Sequence, residues 1–216
     1  MQPTLAVIDI DISSGHDELA REQLLDNLRR CTKRYISPLW VNVLRERADL
    51  RVVCLVHDLT QFDDFLVDVI RSVPGVRGTS AQLSFAGVVH GDPLMDVSLL
   101  DTVWDRRAAA TVLVKSRPGQ DQEVYRALID LPLHQAVQVI WVVKIFHSGE
   151  ADLLLLLLGE RTSALAGYVM SWIRTVPGVV DTQLSSVLDW HILGETEDYI
   201  VLAQRFPDAP TLSGSK

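Results

Sequence analysis

The stretch best equipped for chemistry is His147-Ser148-Gly149-Glu150-Ala151-Asp152. Glycine admits positive φ and close backbone approach, so unpaired amides in this turn can hold a carboxylate. Glu150 and Asp152 can meet an ammonium group, and His147 adjoins them. These five residues (His147, Ser148, Gly149, Glu150 and Asp152) form a candidate site for a ligand the size of an amino acid. A structural alternative stands beside it: Gly149 permits the turn and Asp152 caps a backbone amide.

Other reactive patterns are sparse. His16, His57, His90, His134, His147 and His191 show no His-x-His or His-x-x-x-His spacing, so no metal site is expected. There is no glycine-rich phosphate loop and no Gly-x-Ser-x-Gly nucleophile elbow. Asp9 and Asp11 are two apart and share a strand face, where solvent exposure is the simpler account. Trp104, Trp141, Trp172 and Trp190 read as core or interface anchors. Cys31 and Cys54 read as buried free thiols. No catalytic residue and no cofactor is expected.

The elements that position these residues are written twice. Asp49 to Gly75 spans 26 positions, and so does Asp152 to Gly178, with an offset of 103 between the copies. Ala-Asp-Leu, Val-Pro-Gly-Val and the following Thr79 and Thr182 all recur in register, which marks an internal repeat. In the first copy Glu46 stands where Gly149 stands in the second, which confines the ligand turn to the second copy.

In chain order, strand signals cover Leu5–Ile12, Leu39–Leu44, Leu50–Val56 and Val76–Val89. Between them lie a helix that Asp17 can cap and a second, capped by Asp58 or Thr60 and stopped at Pro74-Gly75. The second copy repeats the order with strands at Thr111–Lys115, Gln138–Phe146, Leu153–Leu158 and Val179–Leu193, and helices at Gln122–Leu131 and Thr162–Thr175. Residues 1–91 form the first domain, 92–107 a connector with a packed helix, 108–205 the second domain and 206–216 a frayed tail. Tyr199–Ala203 reads as one extra strand. The third strands are informative: Leu153–Leu158 is leucine throughout, and Leu50–Val56 is apolar apart from Arg51. A one-sided antiparallel strand alternates, so both faces of these strands must be covered. The expected fold is α+β, two ferredoxin-like βαββαβ repeats packed sheet to sheet as a dimeric α/β-barrel pseudo-dimer.

Bulk properties exclude several classes. Hydrophobic residues make up 48% of the 216 residues, enough for a buried core. The net charge of −8 offers no basic face for a phosphate backbone, so no nucleic-acid partner is expected. The leucine run is far shorter than the ~20 residues that span a bilayer, and Met1–Thr4 has no basic leader region. A cytoplasmic protein with no membrane partner is expected.

The helix followed by Val-Pro-Gly-Val and a strand with threonine three residues on resembles the effector domain of Lrp/AsnC regulators, the regulation-of-amino-acid-metabolism domain. Ser148–Leu153 is similar to that family's Gly-Glu-(aromatic)-Asp-Leu turn, with Ala151 replacing the aromatic, and Ala127–Pro132 resembles its end of helix one. The resemblance covers both halves, but the first strand begins near Leu5 and leaves no room for the family's helix-turn-helix. It implies a small-molecule (amino-acid) sensing or partner-binding protein that reads no DNA itself. Its expected partners are an amino-acid effector and a second copy or a related regulator subunit. The alternative is an enzyme of the dimeric α/β-barrel type, oxygenase, haem-handling or sirohaem decarboxylase-like, with a pocket between the sheets.

Overall fold

Alternating β-branched residues give β1 (Thr4–Ile12), and Ser13-Ser14-Gly15 turns the chain into α1 (Asp17–Arg29). His16 is the N-cap residue of α1. β2 (Ile36–Leu44) and β3 (Leu50–Val56) follow. Asp58 then accepts from the Thr60 amide at 3.0 Å and opens a short 3-10 turn. α2 (Phe62–Phe65) runs on into a π-helical stretch, Leu66–Arg71, before β4 (Val76–Val89). The second copy is β5 (Ala108–Ser116), α3 (Asp121–Ile129), β6 (Val137–Phe146), β7 (Leu153–Gly159), α4 (Thr162–Tyr168) with its own π-helical stretch at Val169–Ile173, and β8 (Val179–Ile192). α5 (Thr196–Arg205) ends the described chain. The computed structural model describes residues 3–31, 35–45, 49–89, 107–132, 134–146 and 151–206. The expected connector helix and the tail beyond Phe206 lie outside them.

The chain divides into two compact units, Met1–Phe85 with Val187–Tyr199 and Ala86–Ser186 with Ile200–Lys216. In the first, antiparallel neighbours run β4-β1-β3-β2, and the last stretch of β8 pairs with β2. One sheet face packs on α1 and α2 through Ile8, Ile10, Val52, Cys54, Leu24 and Phe65. In the second unit, β5 and β6 flank β7, and Val112, Leu153, Leu155, Leu157, Leu165 and Ile173 make the helix-side core. Leu153–Leu158 is buried on both faces, as its unbroken leucines require. Each buried leucine contributes about 1.5–3 kcal/mol.

Proline and glycine stop both second helices where expected. Gly75 and Gly178 sit at φ 96° and 95°, which an L side chain rarely adopts. Each second strand has a register shift just before a tryptophan, between Pro38 and Trp40 and between Val139 and Trp141. Such a bulge re-aims the side chain that follows it. One element differs from expectation. Tyr199–Ala203 is helical, because Tyr199, Leu202 and Phe206 recur at helical spacing and all three are buried. Among the described residues, no helix is long and apolar enough to cross a membrane.

Candidate functional site

What the two copies share is scaffold. Arg71 Nε donates to Thr79 Oγ1 at 2.9 Å, and Arg174 Nε to Thr182 Oγ1 at 2.6 Å, tying each second helix to the strand after Pro-Gly-Val. Asp152 Oδ2 accepts from the Ser116 amide at 2.8 Å and from the Ser116 hydroxyl at 2.7 Å, with Lys115 Nζ 3.3 Å from Oδ1. Burial pushes the Asp152 carboxyl up, but Ser116 and Lys115 together hold it below its ordinary value. Asp49 does the same for the Ile12 amide in the first copy. The repeated aspartate is thus a clamp between the first and third strands. His147, Ser148, Gly149 and Glu150 lie outside the described residues.

What the copies do not share is more informative. On β1, β3 and β2 of the first unit, Asp9, Arg51 and Asn42 stand opposite one another in the ladder. All three point away from the helix-side core, since their strand neighbours Ile8, Ile10, Val52 and Val41 belong to it. Arg51 Nε donates to Asp9 Oδ1 at 2.6 Å and Nη2 to Oδ2 at 3.0 Å, a bidentate pair. Arg51 is 0% exposed, Asp9 6% and Asn42 1%, which corrects the expectation that Asp9 is solvated. The strand had to be covered on both faces, so its single charge had to be buried and paired.

Gln82 on β4 joins this face one step diagonally from Asp9, and it too is buried. Four atoms here are sealed from solvent and have no hydrogen-bond partner among the described residues: Arg51 Nη1, Asn42 Nδ2, and Gln82 Nε2 and Oε1. Buried polar groups left so cost about 1–3 kcal/mol each. Next to Asn42, Trp190 stacks on Trp40 with centroids 5.5 Å apart, and Tyr199 stacks on Trp40 at 6.3 Å. Tyr199 Oη donates to the Leu39 carbonyl at 2.8 Å.

The sister repeat provides an internal control. The positions equivalent to Asp9, Arg51 and Asn42 are Leu113, Leu154 and Val143, again opposite one another in the ladder. This fold therefore accepts an apolar row at the same place. Sequence reasoning passed over the polar row although its signal was present: Arg51 is the one charge in a strand expected to be covered on both faces.

Haem requires an axial ligand, most often histidine. His57 Nε2 lies 3.3 Å from Ser37 Oγ, and His134 Nδ1 accepts from the Ala136 amide at 3.2 Å. His16 lies beside Gly75. His191 pairs with Val41 on the helix side of the sheet, 3.2 Å from Asp189. Burial lowers the pKa of His191. His16, His134 and His191 lie off the face that carries the polar row. Alternation along β3 puts His57 on that face, but six residues from Arg51 and engaged with Ser37, so none of the four stands at the row to ligate a haem there. Burial keeps the Cys54 thiol protonated on the helix side. No group of three or more metal-ligating side chains occurs among the described residues.

Two clefts are more open. One of about 340 Å³ in the first unit is lined by Ile12, Glu18, Arg21, Val43 and Asp49, and one of about 300 Å³ in the second by Arg107, His134, Gln138 and Glu160. Asp49 is committed to the Ile12 amide, and His134 Nδ1 to the Ala136 amide.

No family model and no curated protein matches the chain. Solved structures do. An anthrone oxidase-like protein is 10% identical with a TM-score of 0.60, over 91% of this chain and 95% of that one. A chlorite dismutase variant from Candidatus Nitrospira defluvii is 13% identical at TM-score 0.53, over 94% and 95%. A monooxygenase candidate from Lactobacillus acidophilus NCFM is 6% identical at TM-score 0.52, over 90% and 98%. A transcriptional regulator of Neisseria meningitidis in complex with L-Met covers only 37% of this chain and 48% of its own, at TM-score 0.32. The expected kinship with Lrp/AsnC effector domains, and with it transcription regulation and amino-acid sensing, is corrected: the structures that match over nine-tenths of the chain are the anthrone oxidase-like protein, the chlorite dismutase and the monooxygenase candidate. The physical reason is that Val-Pro-Gly-Val and its threonine are helix-stop and helix-strand fastenings, which mark the βαββαβ unit and not its ligand. The chain has the α+β, ferredoxin-like fold of the dimeric α/β-barrel proteins.

Proposed function

We propose that this protein is an enzyme of the dimeric α/β-barrel type, an oxygenase-class catalyst for a small, largely apolar organic substrate. Its site is the Asp9–Arg51–Asn42 row with Gln82. The observation that supports this is the buried Asp9–Arg51 pair where the sister repeat has Leu113 and Leu154. Burying two charges carries a desolvation penalty of several kcal/mol per ion, and well-packed apolar replacements are often neutral or stabilising. A fold that already uses leucine at these positions has no structural need for the pair.

The donors have a defined task. Arg51 Nη1 and Asn42 Nδ2 would stabilise negative charge developing on a substrate oxygen, in a water-excluded place where such interactions are strongest. Asp9 holds the guanidinium by its other two nitrogens and fixes its aim. The apolar remainder of the substrate would lie against Trp40 and Trp190.

The test is oxygen uptake with anthrone as probe, comparing wild type with Asp9→Leu/Arg51→Leu/Asn42→Val, which writes the sister row into the first repeat. Uptake by wild type and its loss in the folded variant is the expected result. No uptake by folded wild type with anthrone or a panel of phenols and enols, or equal uptake by both proteins, would remove the reading.

A further inference from the structure

We infer that the Asp9–Arg51–Asn42–Gln82 cluster binds an uncharged molecule through a carbonyl oxygen, with the planar body of the ligand against Trp40 and Trp190. This rests on the location argued above and adds the ligand's chemistry. Charge decides the first part. Asp9 and Arg51 neutralise each other through two short hydrogen bonds. A carboxylate or ammonium ligand would leave one net charge in a sealed site, which is strongly unfavourable.

The hydrogen-bond inventory decides the second part. The atoms awaiting partners are three donors (Arg51 Nη1, Asn42 Nδ2 and Gln82 Nε2) and one acceptor (Gln82 Oε1). Exchanging the two ends of the Gln82 amide leaves that inventory unchanged. Donors in excess call for a ligand rich in acceptors, and a carbonyl oxygen offers two lone pairs. An ether or hydroxyl is a poorer match, because the first accepts weakly and the second brings a further donor.

The surroundings decide the third part. The cluster is bordered by the Trp40–Trp190 stack, and the one polar group of Tyr199 is already used on the Leu39 carbonyl. The aromatic surface therefore offers contact area and no further polar group from Tyr199. Entry is the remaining requirement, since the four atoms are sealed from solvent. Gln82 is bonded at neither end among the described residues, so no side-chain hydrogen bond would have to break for it to turn aside. The Asp9–Arg51 pair stays intact while it does.

Calorimetric titration of the full chain with fluorenone, fluorene and fluorene carboxylate tests this, because the three share one ring system and differ in oxygen and charge. Fluorenone should bind at least about tenfold more tightly than either of the others. Gln82→Leu should weaken fluorenone by about tenfold, and Asp9→Leu/Arg51→Leu/Asn42→Val should erase the preference. Equal affinity for all three overturns the inference, as does tightest binding of the carboxylate. So does no binding of any, the result if the cluster holds only ordered water. A fluorenone preference that survives in both variants overturns it too. Carbonyl-selective binding without oxygen uptake from anthrone upholds this site and removes the enzyme reading. Uptake without carbonyl selectivity does the reverse.

Discussion

Arg51→Leu alone and Asp9→Leu/Arg51→Leu/Asn42→Val should move stability in opposite directions. The single change leaves the Asp9 carboxylate, 6% exposed, without the two hydrogen bonds of 2.6 and 3.0 Å that compensate its burial. Breaking a buried pair from one side costs about 3–5 kcal/mol. At about 2–4 °C per kcal/mol for a chain of this size, the melting temperature should fall by roughly 6–20 °C. The triple change removes both charges and the unpartnered Asn42 amide, and installs the residues that the sister repeat packs at the same ladder positions. It should be neutral or stabilising by about 1–4 kcal/mol. Urea titration followed by tryptophan fluorescence and by circular dichroism would measure both, with coincident curves and an unchanged slope certifying a two-state comparison. If the triple variant loses as much as the single one, the row is a structural requirement of the first repeat. The case for its retention by function then fails.

The clamp and the turn give two further expectations. Asp152 has a lowered pKa in the folded state, so its contribution is present above the unfolded carboxylate value and is lost as pH falls through the folded one. Asp152→Asn should therefore flatten the acid limb of stability below about pH 4, measured by melting temperature against pH, and an unchanged limb would show that the Ser116 contacts contribute nothing. At Gly75, φ is +96° and an added Cβ would lie 2.8 Å from His16 Cβ, whereas Gly119 at φ +81° has nothing within 4 Å. Gly75→Ala should cost more than Gly119→Ala, about 2–3 against about 1 kcal/mol by urea denaturation, and equal losses would mean that the contact with His16 relaxes freely.

Several features were legible from residue order because each is a local signal. The offset of 103 relating the copies, the helix stops at Pro74-Gly75 and Pro177-Gly178, and the strand assignments need only periodicity and turn chemistry. The six leucines of β7 announced a strand covered on both faces, since no half-exposed strand reads that way. The repeated aspartate could be read as a clamp or as a ligand. Only the fold shows that Asp152 reaches back 36 residues to Ser116.

Tyr199–Ala203 carries β-branched residues that favour a strand, and burial of Tyr199, Leu202 and Phe206 on one side made it a helix. The polar row depended most on tertiary structure. Asp9 and Arg51 are 42 positions apart, and whether they face each other or lie on opposite sides of the sheet turns on a single step of strand register. Register is set by how three strands pair, including the bulge between Pro38 and Trp40 that lets Asn42 stand opposite Arg51. Local pattern states which residues are apolar and with what period. Which charge meets which partner, shielded from water, is settled only when the ladder closes, because a side-chain period of two gives neighbouring registers opposite outcomes.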